Sequence, residues 1–199
     1  MIRGNHESRT ITQIYGFYDE CLKKYGNTKV WKLCTDVFDY LCIGALIDDK
    51  ILCIHGGLGI NIWTIDELRK LERKQEVPQE GAMCELLWSD PDESIQGHTN
   101  SPRGVGFLFG GNVVEKFHKS NKTNLIVRSH QLVMEGYKYY FGGILVTVWS
   151  APNYTYRCGN QAAVLTLDEN LFQKTLVFGE ADPQDFLVNN RNPLPNYFL

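Results

Sequence analysis

What most limits the fold of this chain is a set of apolar runs too short to be helices. Residues 41–47 form one and Ile51-Leu52-Cys53-Ile54 a second, with only Asp48-Asp49-Lys50 between them. Leu125-Ile126-Val127 is a third, and residues 144–149 are a fourth. Continuous runs of this length, bounded by turn residues, predict strands buried on both faces. Both faces of such a sheet must be covered, which calls for helices or a second sheet.

Helical patterns are present. Apolar residues recur at Ile11, Ile14, Tyr18, Cys21, Leu22 and Tyr25, the spacing of one helix face, with Gly26 as a stop. A second helix is expected over 28–39, with Val30, Leu33, Cys34, Val37 and Phe38 inward. Thr64-Ile65-Asp66-Glu67 matches a capping box and opens a short helix; Asn112 opens another. Leu86-Leu87-Trp88 reads as a short strand, and a polar loop is expected over 93–100. Residues 137–149 read as a hairpin around Gly142-Gly143, and 162–167 and 176–178 as the last strands. The fold class is α/β (α+β), a mixed sheet system flanked by helices. One domain is expected over 1–181 and a flexible tail over 182–199, where prolines gather and the apolar period ends.

Composition excludes several functions. With 43% hydrophobic and 22% charged residues the chain folds rather than staying disordered. A net charge of -3 argues against a nucleic-acid-binding face. No apolar run reaches the ~20 residues of a membrane span, and no signal peptide opens the chain, so a cytoplasmic or nuclear protein is expected. Its six cysteines form no C-x-x-C pair, so a zinc knuckle is not expected. Most sit in apolar runs and read as buried free thiols.

Chemistry gathers where strands end. Asn5-His6 follows Met1-Ile2-Arg3 at a strand-to-helix turn, His55 follows the second run and His130 the third. In open α/β sheets, ligands collect beyond the carboxyl ends of strands. One amide oxygen and two imidazoles suit a borderline divalent metal such as Mn, Fe or Zn. Arg103, beside Gly104, has the geometry to grip a phosphate, and His6 can act as an acid.

The blocks RGNHESR, HGG, LLWSDPD, SPRG, RSHQLVMEGY and SAPNYTYRCGNQAA resemble the metal-dependent serine/threonine phosphoprotein phosphatases. YGFYDEC, RKQEVP, YRCGN and the terminal NYFL resemble the type-2A-like subgroup of 2A, 4 and 6 types, leaning towards type 4. The resemblance implies a metallophosphoesterase β-sandwich and a dinuclear metal centre. A bridging hydroxide would attack phosphoserine or phosphothreonine in line, with no phospho-enzyme. It implies that Asn5, His55 and His130 bind one metal, and that His6 protonates the leaving oxygen. Arg103 would hold the phosphate and Tyr154 line the pocket. Asp90 would sit at the rim and help position the pocket, and Cys158 would lie in a substrate-contacting loop. Leu199 would be methyl-esterified to promote assembly with scaffold and regulatory subunits. The other partners would be phosphoprotein substrates.

The family opens its site with GDxHG and GDxxDRG, and no Gly-Asp dipeptide occurs here. The resemblance therefore implies that the N-terminal portion of the catalytic domain is missing. At most one of two metal-ligand sets is then present, activity is expected to be weak, and strands such as Ile51–Ile54 are expected to lack neighbours. Gly59-Ile60, Ser129 and Thr155 replace the family's usual Ser-Pro, Ala and Cys. The competing expectation is a non-catalytic product that retains only partner-binding surfaces.

Overall fold

The computed structural model describes residues 1–181. The tail expected over 182–199, with Leu199, lies outside the described residues.

The short apolar runs do form strands. β1 (Gly44–Ile47) and β2 (Ile51–Ile54) pair antiparallel, with Asp48 and Asp49 at φ 47° and 53°, the left-handed region that Asp tolerates. β2 pairs parallel with β6 (Leu125–Arg128), and β6 with β8 (Leu145–Val148). β7 (Tyr137–Tyr140) closes the far edge antiparallel, giving the order β1-β2-β6-β8-β7. A two-stranded sheet follows, from β9 (Ala162–Leu167) and β10 (Gln173–Phe178).

Alternation along the strands divides the core. Leu52, Ile54, Ile126 and Leu145 pack with Leu86 and Leu87 of α5 (Ala82–Trp88) and with Val114 and Phe117 of α6 (Gly111–Asn121). Ile51, Leu125 and Val146 point the other way, against Leu165 and Leu167 of β9. Both faces of the central strands are covered, which is why their sequences are continuously apolar. Among the described residues no helix is long and apolar enough to cross a membrane.

Several expectations are corrected. Residues 11–25 are two helices, α1 (Arg9–Ile14) and α2 (Phe17–Tyr25), separated at Gly16, whose φ of 95° interrupts the helical ladder. In α3 (Lys29–Phe38), Leu33 and Val37 are each 58% exposed. The packed stripe runs instead through Trp31, Cys34, Thr35 and Phe38, and the Trp31 indole N–H donates to Thr12 Oγ1 at 2.9 Å. Leu86-Leu87-Trp88 is helical: residues 83–87 are all buried, so α5 has no polar face and shows no helical period. The expected polar loop contributes a strand. β3 (Asp90–Pro91), β4 (His98–Asn100) and β5 (Phe107–Phe109) form a small sheet in the order β3-β5-β4. All six cysteines are free, but only Cys21 and Cys84 are buried and Cys42 is exposed. β2 and β6 have neighbours on both sides, so neither is the uncovered strand that was expected. α4 (Ile65–Arg69) does begin at the expected capping box, with Thr64 and Glu67 bonded reciprocally.

Candidate active site

The three parallel strands β2, β6 and β8 run in one direction, so their carboxyl ends open on one side of the sheet. His55 leaves β2, Ser129-His130 leaves β6 and Ser150 follows β8. The fourth contributor is the N-terminal segment, anchored by the Ile2–Cys42 bridge and by the Arg3 N–H, which donates to the Cys42 carbonyl at 2.8 Å. It delivers Asn5, 2% exposed, whose Oδ1 lies 2.7 Å from His55 Nε2. Gly4 makes this approach possible. A Cβ there would stand 2.9 Å from the His55 ring and 2.6 Å from Glu7 Oε2. The His55 and His130 ring centroids are 5.1 Å apart.

His130 is held at φ 67°, in the left-handed region, with its side chain 4% exposed. Its Nε2 is buried and finds no hydrogen-bond partner among the described residues. An orphaned buried donor or acceptor is costly, and strained backbone gathers at functional sites. Burial first, then the charge of Arg128 and the neighbouring His6, pushes the His55 imidazole down to about 3. Burial and Arg128 likewise hold His130 well below its ordinary value. Both rings are therefore neutral at physiological pH, the form that ligates metals.

A charged chain flanks this trio. Arg103 donates its Nε–H to Asp90 Oδ2 at 2.7 Å, which fixes the guanidinium plane and leaves the terminal nitrogens to the cleft. The other Asp90 oxygen accepts from Arg128 Nη2 at 2.8 Å. Asp90 lies beneath the cleft rather than at its rim: it is 2% exposed.

The cleft above has a volume of about 530 Å³. Asn5, His6, His55, Arg103, His130 and Tyr154 all line it, so the structure brings six of the expected site residues together. His6 lies with its ring centroid 5.0 Å from that of Tyr15. Burial, then the Arg103 charge, lowers its imidazole pKa. The Tyr154 ring meets Trp149 edge-on at 4.8 Å. Cys158 does not line the cleft; it lies behind Tyr154, its N–H donating to the Tyr154 carbonyl at 3.1 Å. Sequence reasoning missed the apolar walls made by Tyr15, Trp88 and Trp149, because aromatics read as core. It also missed Arg128, whose only signal was a charged residue closing an apolar strand.

The donor set fits a divalent cation. Asn5 Oδ1 and the two neutral imidazoles converge, and the orphaned His130 Nε2 needs a partner that no described residue supplies. Among the described residues, no group of three or more His, Cys, Asp or Glu gathers elsewhere to hold a second ion.

Comparisons with known proteins agree with this geometry. Residues 1–134 match the family model for the calcineurin-like phosphoesterases. The chain is similar to a protein serine/threonine phosphatase from Saccharomyces cerevisiae, itself described as similar to human phosphatase PP5. The two share 34% identity at a TM-score of 0.82, over 91% of this chain and 60% of the yeast one. The chain thus spans less than two thirds of that relative's length. With two thirds of its residues under one family model, and with its strands ending in the Asn5–His55–His130 trio, the chain belongs to the calcineurin-like phosphoesterases.

Proposed function

We propose that this chain acts as a serine/threonine protein phosphatase catalytic subunit of the type-2A-like subgroup, hydrolysing phosphoserine and phosphothreonine. One observation carries the reading: a metal-ligand trio with an orphaned imidazole nitrogen and a pre-oriented arginine share one cleft. The yeast protein's description as a serine/threonine phosphatase supports it. Phosphoprotein substrates and scaffold or regulatory subunits are its partners in this reading, in the cytoplasm or nucleus.

Asn5, His55 and His130 would hold a divalent ion. When bound, such an ion supplies charge to the phosphoryl oxygens and lowers the pKa of water. The chain's own residues do the rest. Arg103 binds two phosphate oxygens with its terminal nitrogens while Asp90 keeps it from swinging away. Burial first and then the Arg103 charge lower the His6 pKa; a phosphate dianion would offset the second of these and so favour a proton on His6 for the leaving Ser or Thr oxygen. Tyr154, Trp149 and Trp88 wall the cleft and limit its water. The complete reaction uses two metal ions in this reading.

A second reading is a non-catalytic product that keeps partner-binding surfaces. The sequence contains no Gly-Asp dipeptide, with which both of the family's opening motifs begin, and this favours it. A phosphothreonine peptide assay with added Mn separates the two. Turnover that His6→Ala abolishes supports the phosphatase. No turnover, with one loosely bound metal per chain by elemental analysis, supports the non-catalytic reading.

A further inference from the structure

Arg128 sits at the centre of a saturated polar cluster. Its side chain has no solvent exposure. Its Nε–H donates to the Gly56 carbonyl at 2.6 Å. Nη1 donates to Gln131 Oε1 at 2.9 Å and Thr147 Oγ1 at 3.3 Å. Nη2 donates to the Ser89 carbonyl at 3.2 Å and Asp90 Oδ1 at 2.8 Å. A guanidinium has five N–H donors, and each finds an acceptor here. The acceptors belong to the turn after β2, the junction of α5 and β3, the interior of β8 and the loop after β6. A buried charge is costly unless paired, and among the described residues this one is paired by Asp90 alone, which is itself shared with Arg103.

The geometry points to Arg128 as a positioning residue that sets the direction of Arg103 through Asp90, and so fixes where a phosphate can bind. Removing the guanidinium alone would leave Asp90 a buried charge without its Arg128 partner, so the two side chains act as a unit. Arg128 holds one Asp90 oxygen and Arg103 the other. A carboxylate held at one oxygen only would rotate and release Arg103 Nε. A lysine has three donors on a flexible stem and cannot reach all of these acceptors. This inference rests on the phosphate-holding role of Arg103 proposed above.

The test uses the full chain in chelator, so that metal is not a variable, with inorganic phosphate as the probe. Two quantities are read: phosphate affinity by 31P NMR titration, and the solvent-exchange rate of the Arg103 Nε–H resonance in 15N-labelled protein. Arg128→Lys and Arg128→Gln are expected to weaken phosphate roughly tenfold, the equivalent of one charge-assisted hydrogen bond, and to speed Nε–H exchange. Asp90→Asn is expected to do the same, and the Arg128→Gln/Asp90→Asn double variant to be no weaker than Asp90→Asn alone. Val146→Ala, which opens the core away from Arg128, lowers stability and leaves both readouts unchanged. In the wild type, phosphate should shift the Arg128 guanidinium resonances along with those of Arg103, a readout that needs no variant. Folded Arg128 variants with wild-type phosphate affinity and Nε–H exchange overturn the inference, as do additive losses or a silent Arg128 during titration. If Arg103→Ala leaves phosphate affinity intact, the phosphate-holding role falls and this inference falls with it. Sensitivity to Arg103 but not to Arg128 overturns this inference alone.

Discussion

The central sheet and the β9–β10 hairpin both carry large apolar side chains and differ in what covers them. Ile54 and Ile126 in the central sheet are 1% and 0% exposed, whereas Leu176 in β10 is 60% exposed and Phe178 38%. The central strands meet α5 and α6 on one face and β9 on the other. The hairpin lends Leu165 and Leu167 to the core while its outward residues meet no cover among the described residues. Hydrophobicity alone therefore says little about where free energy resides; the covering layer decides.

The contrast breaks most visibly under truncation. Ile126→Ala is expected to cost about 2–5 kcal/mol, the range for emptying a packed aliphatic site. Leu176→Ala should fall within about 0.5 kcal/mol of wild type, because little apolar area is removed from cover. Denaturant titration of both variants measures the gap, and equal losses would mean that the hairpin's outer face is covered in solution.

Glycines sharpen the same comparison. A Cβ on Gly56, just past β2, would meet Leu87 carbon and Trp88 nitrogen of the backbone at 2.6 and 2.7 Å. Gly56→Ala should cost about 1–3 kcal/mol from overpacking. Gly179, just past β10, has nothing within 4 Å of such a Cβ. Its Ala variant is expected to be neutral or slightly stabilising by thermal melting.

Acid should loosen the site side first. Asp39 accepts from Arg9 at 2.8 and 3.0 Å and from Arg3 at 3.2 Å, and Arg9 also faces Asp36 and Glu76. The Arg9 hydrogen bond, then its charge and that of Arg3, outweighs burial and holds the Asp39 carboxyl below its unfolded value of 3.8. A depressed carboxylate contributes stability that is present above the unfolded value and is lost as pH falls through the folded one. Hydrogen exchange should therefore show residues 3–9 losing protection below pH 3.8 before the β9–β10 amides do. Simultaneous loss would argue against a local effect. The smallest change is expected at Tyr139, whose exposed hydroxyl donates to Gln173 Oε1 at 2.7 Å across the two sheets. Tyr139→Phe should shift stability by no more than about 0.5 kcal/mol.

Much of the central sheet was legible because continuous apolar runs have few other uses. His55 and His130 were legible because each follows such a run, and Asn5 because it stands beside His6 at the turn after Met1-Ile2-Arg3. The capping box at Thr64 and the stop at Gly26 were legible because their bonds are local. α5 was not, since a helix buried all round shows no period. Leu33 and Val37 were misplaced because helix periodicity fixes a stripe only to within one residue. The Gly59 departure from the family's Ser also had no visible cause. Its Cβ would stand 2.0 Å from Glu85 Oε2, a contact between residues far apart in sequence.

The parallel order of the central strands also governs how the molecule folds. Ile51 must find Leu125, and Ile126 must find Leu145, before the His55 and His130 rings can meet. Such non-local pairings cost loop-closure entropy in advance and slow folding relative to helical proteins of similar size. Asn5, His55, Arg103 and His130 come from segments spread along most of the chain, so no hairpin or helix pair assembled early can contain the trio. Partly folded chains would therefore lack the cleft, and the Asn5–His55–His130 trio would come together only after the parallel strands have docked.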